Sequence, residues 1–211
     1  MKKVPVFINS FNRLTMLKDM VQSLRNFDDV STITIIDNQS TYTPLYDWLR
    51  SKAPQELGAE VIVLSENKGP RSAWTWAASG KQPKDFFAVT DCDLCFKNTP
   101  KELVTLCVEG LLRYNKIHKV GASLKIDDIP DEHPFKKDIQ SIEGSYLSEL
   151  KGGKWYKAPI DTTFAVYRGG EAFDYHPALR TAAPFEVRHL PWYLIPGELS
   201  EEDLAYIDLL P

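Results

Sequence analysis

Asp91 and Asp93 stand one residue apart in the stretch DFFAVTDCDLC, directly after the apolar run Phe86 to Val89. Apolar runs of this kind build buried strands, and two carboxylates at the end of one are costly unless something positive sits between them. A divalent cation meets that need. Carboxylate and water ligands suit Mg2+ or Mn2+, and a metal held by only one or two protein carboxylates commonly completes its shell with phosphate oxygens. The pair therefore points to a metal-bound nucleotide or diphosphate. The competing reading is an acidic strand-end turn, solvated and capping the next segment, and the two residues alone do not separate the two.

The same stretch holds a C-x-x-C, Cys92 and Cys95. Zinc would need two further ligands at sensible spacing, and Cys107, His118, His133, His176 and His189 offer no second pair. Three cysteines, an odd number, give no disulfide framework. The expectation is reduced thiols packed on and after a strand.

The strand that must position the two aspartates is the fourth of a series. Residues 3 to 11 read as a buried strand, followed by a helix with Leu14, Leu17, Val21 and Leu24 at helical spacing and Asn12 as its N-cap. A second strand spans 31 to 40, a second helix 44 to 54, and a third strand 59 to 69. Pro70 then takes a first helical position and Gly80 closes that helix. After the fourth strand, Thr99 and Glu102 predict a capping box, with Pro100 at the first helical position. Strands alternating with helices imply an α/β domain, with a mixed, mostly parallel central sheet flanked by helices. Ligands of such sheets sit at the carboxyl ends of the strands. Polar residues collect there: Asn9 to Arg13, Asp37-Asn38, Asn67 to Arg71, and Asp91 to Asp93.

The second half is less regular. Residues 119 to 130 read as a strand entering an acidic loop, 136 to 150 as a short helix, and 154 to 170 as the strands of a hairpin. An aromatic-rich loop follows, then a terminal helix capped by Ser200 and Asp203. No repeat or linker interrupts the chain. The reading is one domain, 1–211, with a nucleotide-binding lobe over 1–116 and an acceptor and metal-completing lobe over 117–211.

Length and composition agree. The chain has 211 residues, 43% hydrophobic and 26% charged, with a formal net charge of -4. Those are the proportions of an ordinary globular protein able to bury a full core. The charge excludes the basic footprint of a nucleic-acid binder. The opening MKKVPVFINSF has an apolar stretch too short for a signal peptide, and no run approaches the roughly 18 apolar residues of a membrane span. A cytoplasmic protein with no membrane span is expected.

The order of strand-NSFNR-helix, strand-DNQS, strand-ENKGPRSAW-helix and strand-DCD resembles the GT-A glycosyltransferases, the family 2-like members in particular. The resemblance covers residues 3 to 116. It implies that Asn9, Ser10, Phe11 and Arg13 line the base and diphosphate of a UDP-sugar, and that Asp37 bonds the uracil or ribose. It further implies that Asn67, Lys68, Gly69 and Arg71 flank the diphosphate, with Asp91 and Cys92 beside the donor. Asp91 and Asp93 would then hold Mn2+ or Mg2+, with His189 as a third ligand from the second half. Length and motifs are also similar to chlorella-virus members that glycosylate a capsid protein. That likeness implies a glycan or glycoprotein acceptor, the host cytoplasm as location, and further domains on a longer polypeptide.

On the sugar side, Asp161 and Glu186 are the candidate catalytic carboxylates. The adjacent pair Glu202-Asp203 falls in the terminal helix, out of place for the acidic base of an inverting member, and this departure leans towards retention. Two rival readings stay open. One is a phosphohydrolase of the haloacid-dehalogenase type, using Asp91 and Asp93; against it, Cys95 stands where a threonine belongs. The other is an inactive sugar-nucleotide-binding module.

Overall fold

The computed structural model describes residues 3–79, 85–170, 173–175 and 177–208. Its first half alternates strand and helix: β1 (Val4–Ser10), α1 (Leu14–Leu24), β2 (Val30–Asp37), α2 (Thr43–Arg50), α3 (Ala53–Glu56), β3 (Ala59–Val63), α4 (Ser72–Ala78) and β4 (Phe86–Asp91). Then come β5 (Leu94–Cys95), α5 (Leu103–Arg113), β6 (Lys119–Gly121), β7 (Ser123–Leu124), α6 (Lys136–Ser145), β8 (Leu150–Lys151) and β9 (Trp155–Lys157). The chain continues through β10 (Ala165–Arg168), β11 (Ala178–Thr181), β12 (Glu186–His189), a three-ten turn over Leu190–Tyr193, and α7 (Glu201–Ile207).

Nine strands form one sheet in the order β3-β2-β1-β4-β10-β6-β11-β9-β8. The pairs β3–β2, β2–β1 and β1–β4 are parallel. β10 runs against both β4 and β6, while β6 and β11 are parallel to each other. Most strands therefore run with β1, as the α/β reading requires, and β10 and β9 run against it. β5, β12 and β7 make a second, three-stranded sheet.

β1 shows why this half is legible. Val4, Val6 and Ile8 enter one core with Leu17, Met20, Val21 and Leu24 of α1. Phe7, from the opposite face, enters another with Ala73 and Ala77 of α4. Helices cover both faces, so the strand is apolar from Val4 to Ile8 and turns polar only at its carboxyl end. The first core continues into the second half through Trp155, Phe164, Val166 and Leu179.

Four local expectations are corrected. Arg13, not Asn12, precedes α1, and it makes no side-chain cap. Asn12 instead adopts a left-handed φ of 51°, which asparagine tolerates. Its Oδ1 accepts from the amides of Thr41 (2.8 Å) and Tyr42 (2.9 Å), tying the loop after β1 to the loop after β2. Second, Thr99 and Glu102 form no capping box. α5 begins at Leu103 without a side-chain cap, because the Thr99 hydroxyl donates to the Glu186 carbonyl at 2.6 Å. Third, residues 154 to 170 form no hairpin. β9 pairs with β11 and β8, whereas β10 pairs with β4 and β6. Fourth, Pro70 lies ahead of α4, whose N-cap is Arg71. Gly80, the expected end of that helix, lies outside the described residues, as does His176. The Ser200 and Asp203 capping box of α7 is present in full.

Candidate functional site

The carboxyl ends of β1 and β4, adjacent in the sheet, open onto a cleft of about 550 Å3. Asn9, Phe11, Arg13, Asn67, Gly69, Asp91, Cys92, Asp93 and His189 all line it. Asn38, Pro70, Thr162, Pro191 and Tyr206 complete the wall.

Asn9 is the joint of this site. Its side-chain amide donates to the Pro70 carbonyl (3.2 Å) and to Asp91 Oδ1 (3.4 Å), and its Oδ1 accepts the Ser72 hydroxyl. One residue thus links β1, the start of α4 and the end of β4. Asn38 does the same from β2. Its amide donates to Asn67 Oδ1 (2.8 Å) and the Gly69 carbonyl (3.1 Å), and its Oδ1 accepts the Lys68 amide at 2.8 Å. Gly69 turns that loop with a φ of 78°, a left-handed value that glycine adopts without strain.

The two aspartates have different surroundings. Asp91 Oδ2 accepts the Thr162 hydroxyl at 2.6 Å. Burial, and then the charge of Asp93, push the Asp91 carboxyl up to about 7, against the opposing effects of Thr162, Asn9 and His189. Asp93 Oδ2 faces His189 Nε2 at 3.6 Å. Among the described residues, Asp93 Oδ1 and His189 Nδ1 are buried with no hydrogen-bond partner. The second sheet makes this meeting. His189 of β12 pairs with Leu94 of β5, and the Leu190 amide donates to the Asp93 carbonyl at 2.8 Å. Cys92, between the two aspartates, is buried and belongs to the core cluster, where burial pushes its thiol up.

Among the described residues, no three His, Cys, Asp or Glu side chains gather closely enough to hold an ion by themselves. Of the three expected ligands, Asp93 and His189 face each other, while Asp91 is engaged by Thr162 and Asn9. An orphaned carboxylate oxygen beside an imidazole fits a hard divalent cation whose remaining ligands come from phosphate and water.

Other expected residues lie at or beyond the rim. Ser10 is buried, and its hydroxyl has no partner among the described residues. Asp37 is also buried. Its carboxylate accepts the Ser40 hydroxyl and amide, and burial raises its pKa in spite of those bonds. Lys68 pairs with Glu66 at 3.0 Å. Arg71 donates to the Tyr175 hydroxyl at 2.8 Å and stacks on Phe173, 4.4 Å from the ring centre. Asp161 is exposed beside the cleft residue Thr162. Glu186 lines a separate hollow with Lys125 and Arg188, where burial raises its pKa.

Thr162 and Tyr206 are site residues that sequence reasoning missed, and Asn38 was placed among the strand-end polar residues without a role of its own. Thr162 carried a weak signal, since it follows the singled-out Asp161. Tyr206 carried none.

The sequence pattern of Glycosyl transferase family 2 matches residues 6–171. The chain belongs to that family. Two solved structures show the same fold. One is the mannosyltransferase PcManGT from Pyrobaculum calidifontis, solved with GDP-Man and Mn2+; the TM-score is 0.58 at 13% identity, covering 89% of this chain and 56% of that one. The other is TarS from S. aureus, solved with UDP-GlcNAc; the TM-score is 0.51 at 15% identity, covering 79% of this chain and 45% of that one. The family 2 chain described here thus spans about half the length of these structures. A comparison with curated proteins finds no sequence match. No helix of the described residues is long and apolar enough to cross a membrane.

Proposed function

We propose that this family 2 chain is a metal-dependent glycosyltransferase that takes its sugar from a UDP-sugar. The observation that carries the reading is the Asp93–His189 pair just past the end of β4: both residues line the strand-end cleft, and one carboxylate oxygen of Asp93 is buried with no hydrogen-bond partner among the described residues. PcManGT, solved with GDP-Man and Mn2+, and TarS, solved with UDP-GlcNAc, support the ligand class.

Asp93 and His189 would hold Mn2+ or Mg2+. When bound, the cation supplies Lewis-acid stabilisation of the negative charge that develops on the leaving diphosphate. Asn9 and Thr162 hold the Asp91 carboxylate at the cleft wall, where it can take ribose hydroxyls or metal-bound water. Arg71 and Lys68, at the rim, add positive charge on the diphosphate side. Asp161, next to Thr162, is the carboxylate nearest in sequence to the cleft on the sugar side. It orients the acceptor hydroxyl or takes its proton. Glu186, in a separate hollow, is the weaker candidate.

The acceptor we favour is a glycan or glycoprotein of a capsid or surface. That choice, and a viral setting, rest on sequence resemblance. Retention is favoured because Glu202 and Asp203 are occupied in binding α1 and the residue before it. Residues 1–211 are read as one catalytic domain.

Calorimetric titration of UDP with and without Mn2+, repeated with GDP, tests the proposal. Mn2+-dependent binding of UDP is expected, with loss of that dependence in Asp93→Asn at an unchanged melting temperature. His189→Ala is expected to weaken Mn2+ affinity by at least the roughly 10- to 100-fold that follows loss of a residue merely orienting a metal ligand. Binding of neither nucleotide would sink the proposal.

A further inference from the structure

Helix α7 closes the chain against its beginning. Glu202 accepts from the Thr15 amide at 3.0 and 3.1 Å and from the Thr15 hydroxyl at 3.0 Å. A carboxylate from α7 thereby supplies the cap that α1 lacks from its own neighbours. Asp203 forms a buried ion pair with Arg13, and the same carboxylate group caps its own helix through Ser200. These bonds fix one turn of α7 over the loop after β1.

The consequence is the placement of Tyr206. Its ring takes the Arg13 guanidinium on one face, 3.9 Å from the ring centre. It meets Phe11 edge-on, with centroids 6.3 Å apart. Both rings line the same cleft as Asp91 and Asp93. Asp37, meanwhile, is buried with its carboxylate on Ser40, and it is not among the residues lining the cleft.

We infer that the nucleoside of the donor rests against the Phe11–Tyr206 pair, and that the α7 latch through Glu202 and Asp203 is what holds Tyr206 in the donor site. This rests on the nucleotide-sugar reading of the cleft. The terminal helix is then part of the donor-binding machinery, and Arg13 is a positioning residue whose charge is already matched by Asp203. Any nucleobase can stack on an aromatic side chain, because every base has a π-face.

The test is calorimetry on the full chain with Mn2+, using UDP and inorganic pyrophosphate as separate probes. Tyr206→Ala is expected to weaken UDP binding between about 5-fold and 150-fold, the range that loss of one base stack produces. Its pyrophosphate affinity stays at the wild-type value, since that probe has no base. Tyr206→Phe keeps the ring and is expected to restore UDP binding. Leu204→Ala, at an exposed position of the same helix, leaves both probes unaffected. Unchanged UDP affinity in Tyr206→Ala overturns the inference while leaving the glycosyltransferase reading standing. So does an equal fall for both probes, which would mean that the helix only supports the fold. A wild-type chain that binds neither UDP nor GDP removes both.

Discussion

The two halves of the chain build the same sheet by different means. Up to β4, each strand pairs in parallel with a strand from the same half, and α1 and α4 cover the two faces. Beyond β4 the strands are two to four residues long, and apart from the local β8–β9 pair their partners come from distant segments. β10 crosses back to lie against β4, and β12 crosses to β5. The first half thus makes a row of strand ends, and the second half brings single side chains to it: Thr162 to Asp91, His189 to Asp93, and Tyr206 to Phe11. A strongly periodic segment makes a platform, and short irregular segments furnish it.

If the second half only decorated the first, its core residues would matter less. They are equally buried, and the largest expected effect tests this directly. Phe164, fully buried, packs edge-on against Phe96 at 5.3 Å. Phe164→Ala is expected to cost about 3–5 kcal/mol, comparable with about 2–5 kcal/mol for Leu17→Ala in the first half. Urea unfolding of both variants gives the comparison. A cost for Phe164 near that of a surface change would mean that the first half stands alone.

A smaller effect sharpens the account of α7, which belongs to the second half in sequence and to the first in contacts. Ser200→Ala removes its cap, at about 1 kcal/mol. Because α7 also caps α1, the loss should appear as a fall of roughly 2–4 °C in the melting temperature. A loss confined to local fraying would show that the latch is loose.

An effect of the opposite sign concerns Lys119, at the start of β6 in the second half. Its ammonium is buried, lies 4.5 Å from the Phe173 ring centre, and has no hydrogen-bond partner among the described residues. Burial pushes its pKa down to about 8 from an ordinary 10.5, against the charges of Asp161 and Asp174. Between those two values the unfolded chain holds the proton and the folded chain does not. Stability therefore rises with pH across that window, and below about pH 8 the penalty is constant. Lys119→Met is expected to remove this slope and to raise the melting temperature by a few degrees at neutral pH. Melting curves from pH 7 to 11 check the sign, and a slope unchanged by the substitution would assign it to other groups.

Much of the first half was legible, for a physical reason. In the parallel half each strand pairs with another of the same half, so apolar runs, strand-end polar residues and helix spacing all report on nearby structure. The misplaced cap at Asn12 marks the limit of that reading. Sequence showed a good capping residue at a helix start, but the asparagine had a stronger use in holding the loop after β2. Thr99 repeats the lesson, its hydroxyl taken by β12. The supposed hairpin of residues 154 to 170 fails for a related reason. Alternation identifies a strand and its two faces, while the partner is chosen by whichever sheet edge completes the core.

The sequence by itself determined that a buried strand runs into two carboxylates flanking a thiol, since an apolar run of this kind builds a strand and the polar residues mark its end. It also determined that four strand ends would carry polar groups. Only the tertiary structure decided that Asp93 meets His189 while Asp91 turns to Thr162, 71 positions away, and that the last helix pairs Asp203 with Arg13 across 190 positions. Contacts at such separations are fixed by the closing of a common core and by the pairing of short strands. Neither leaves a mark in the local pattern of residues.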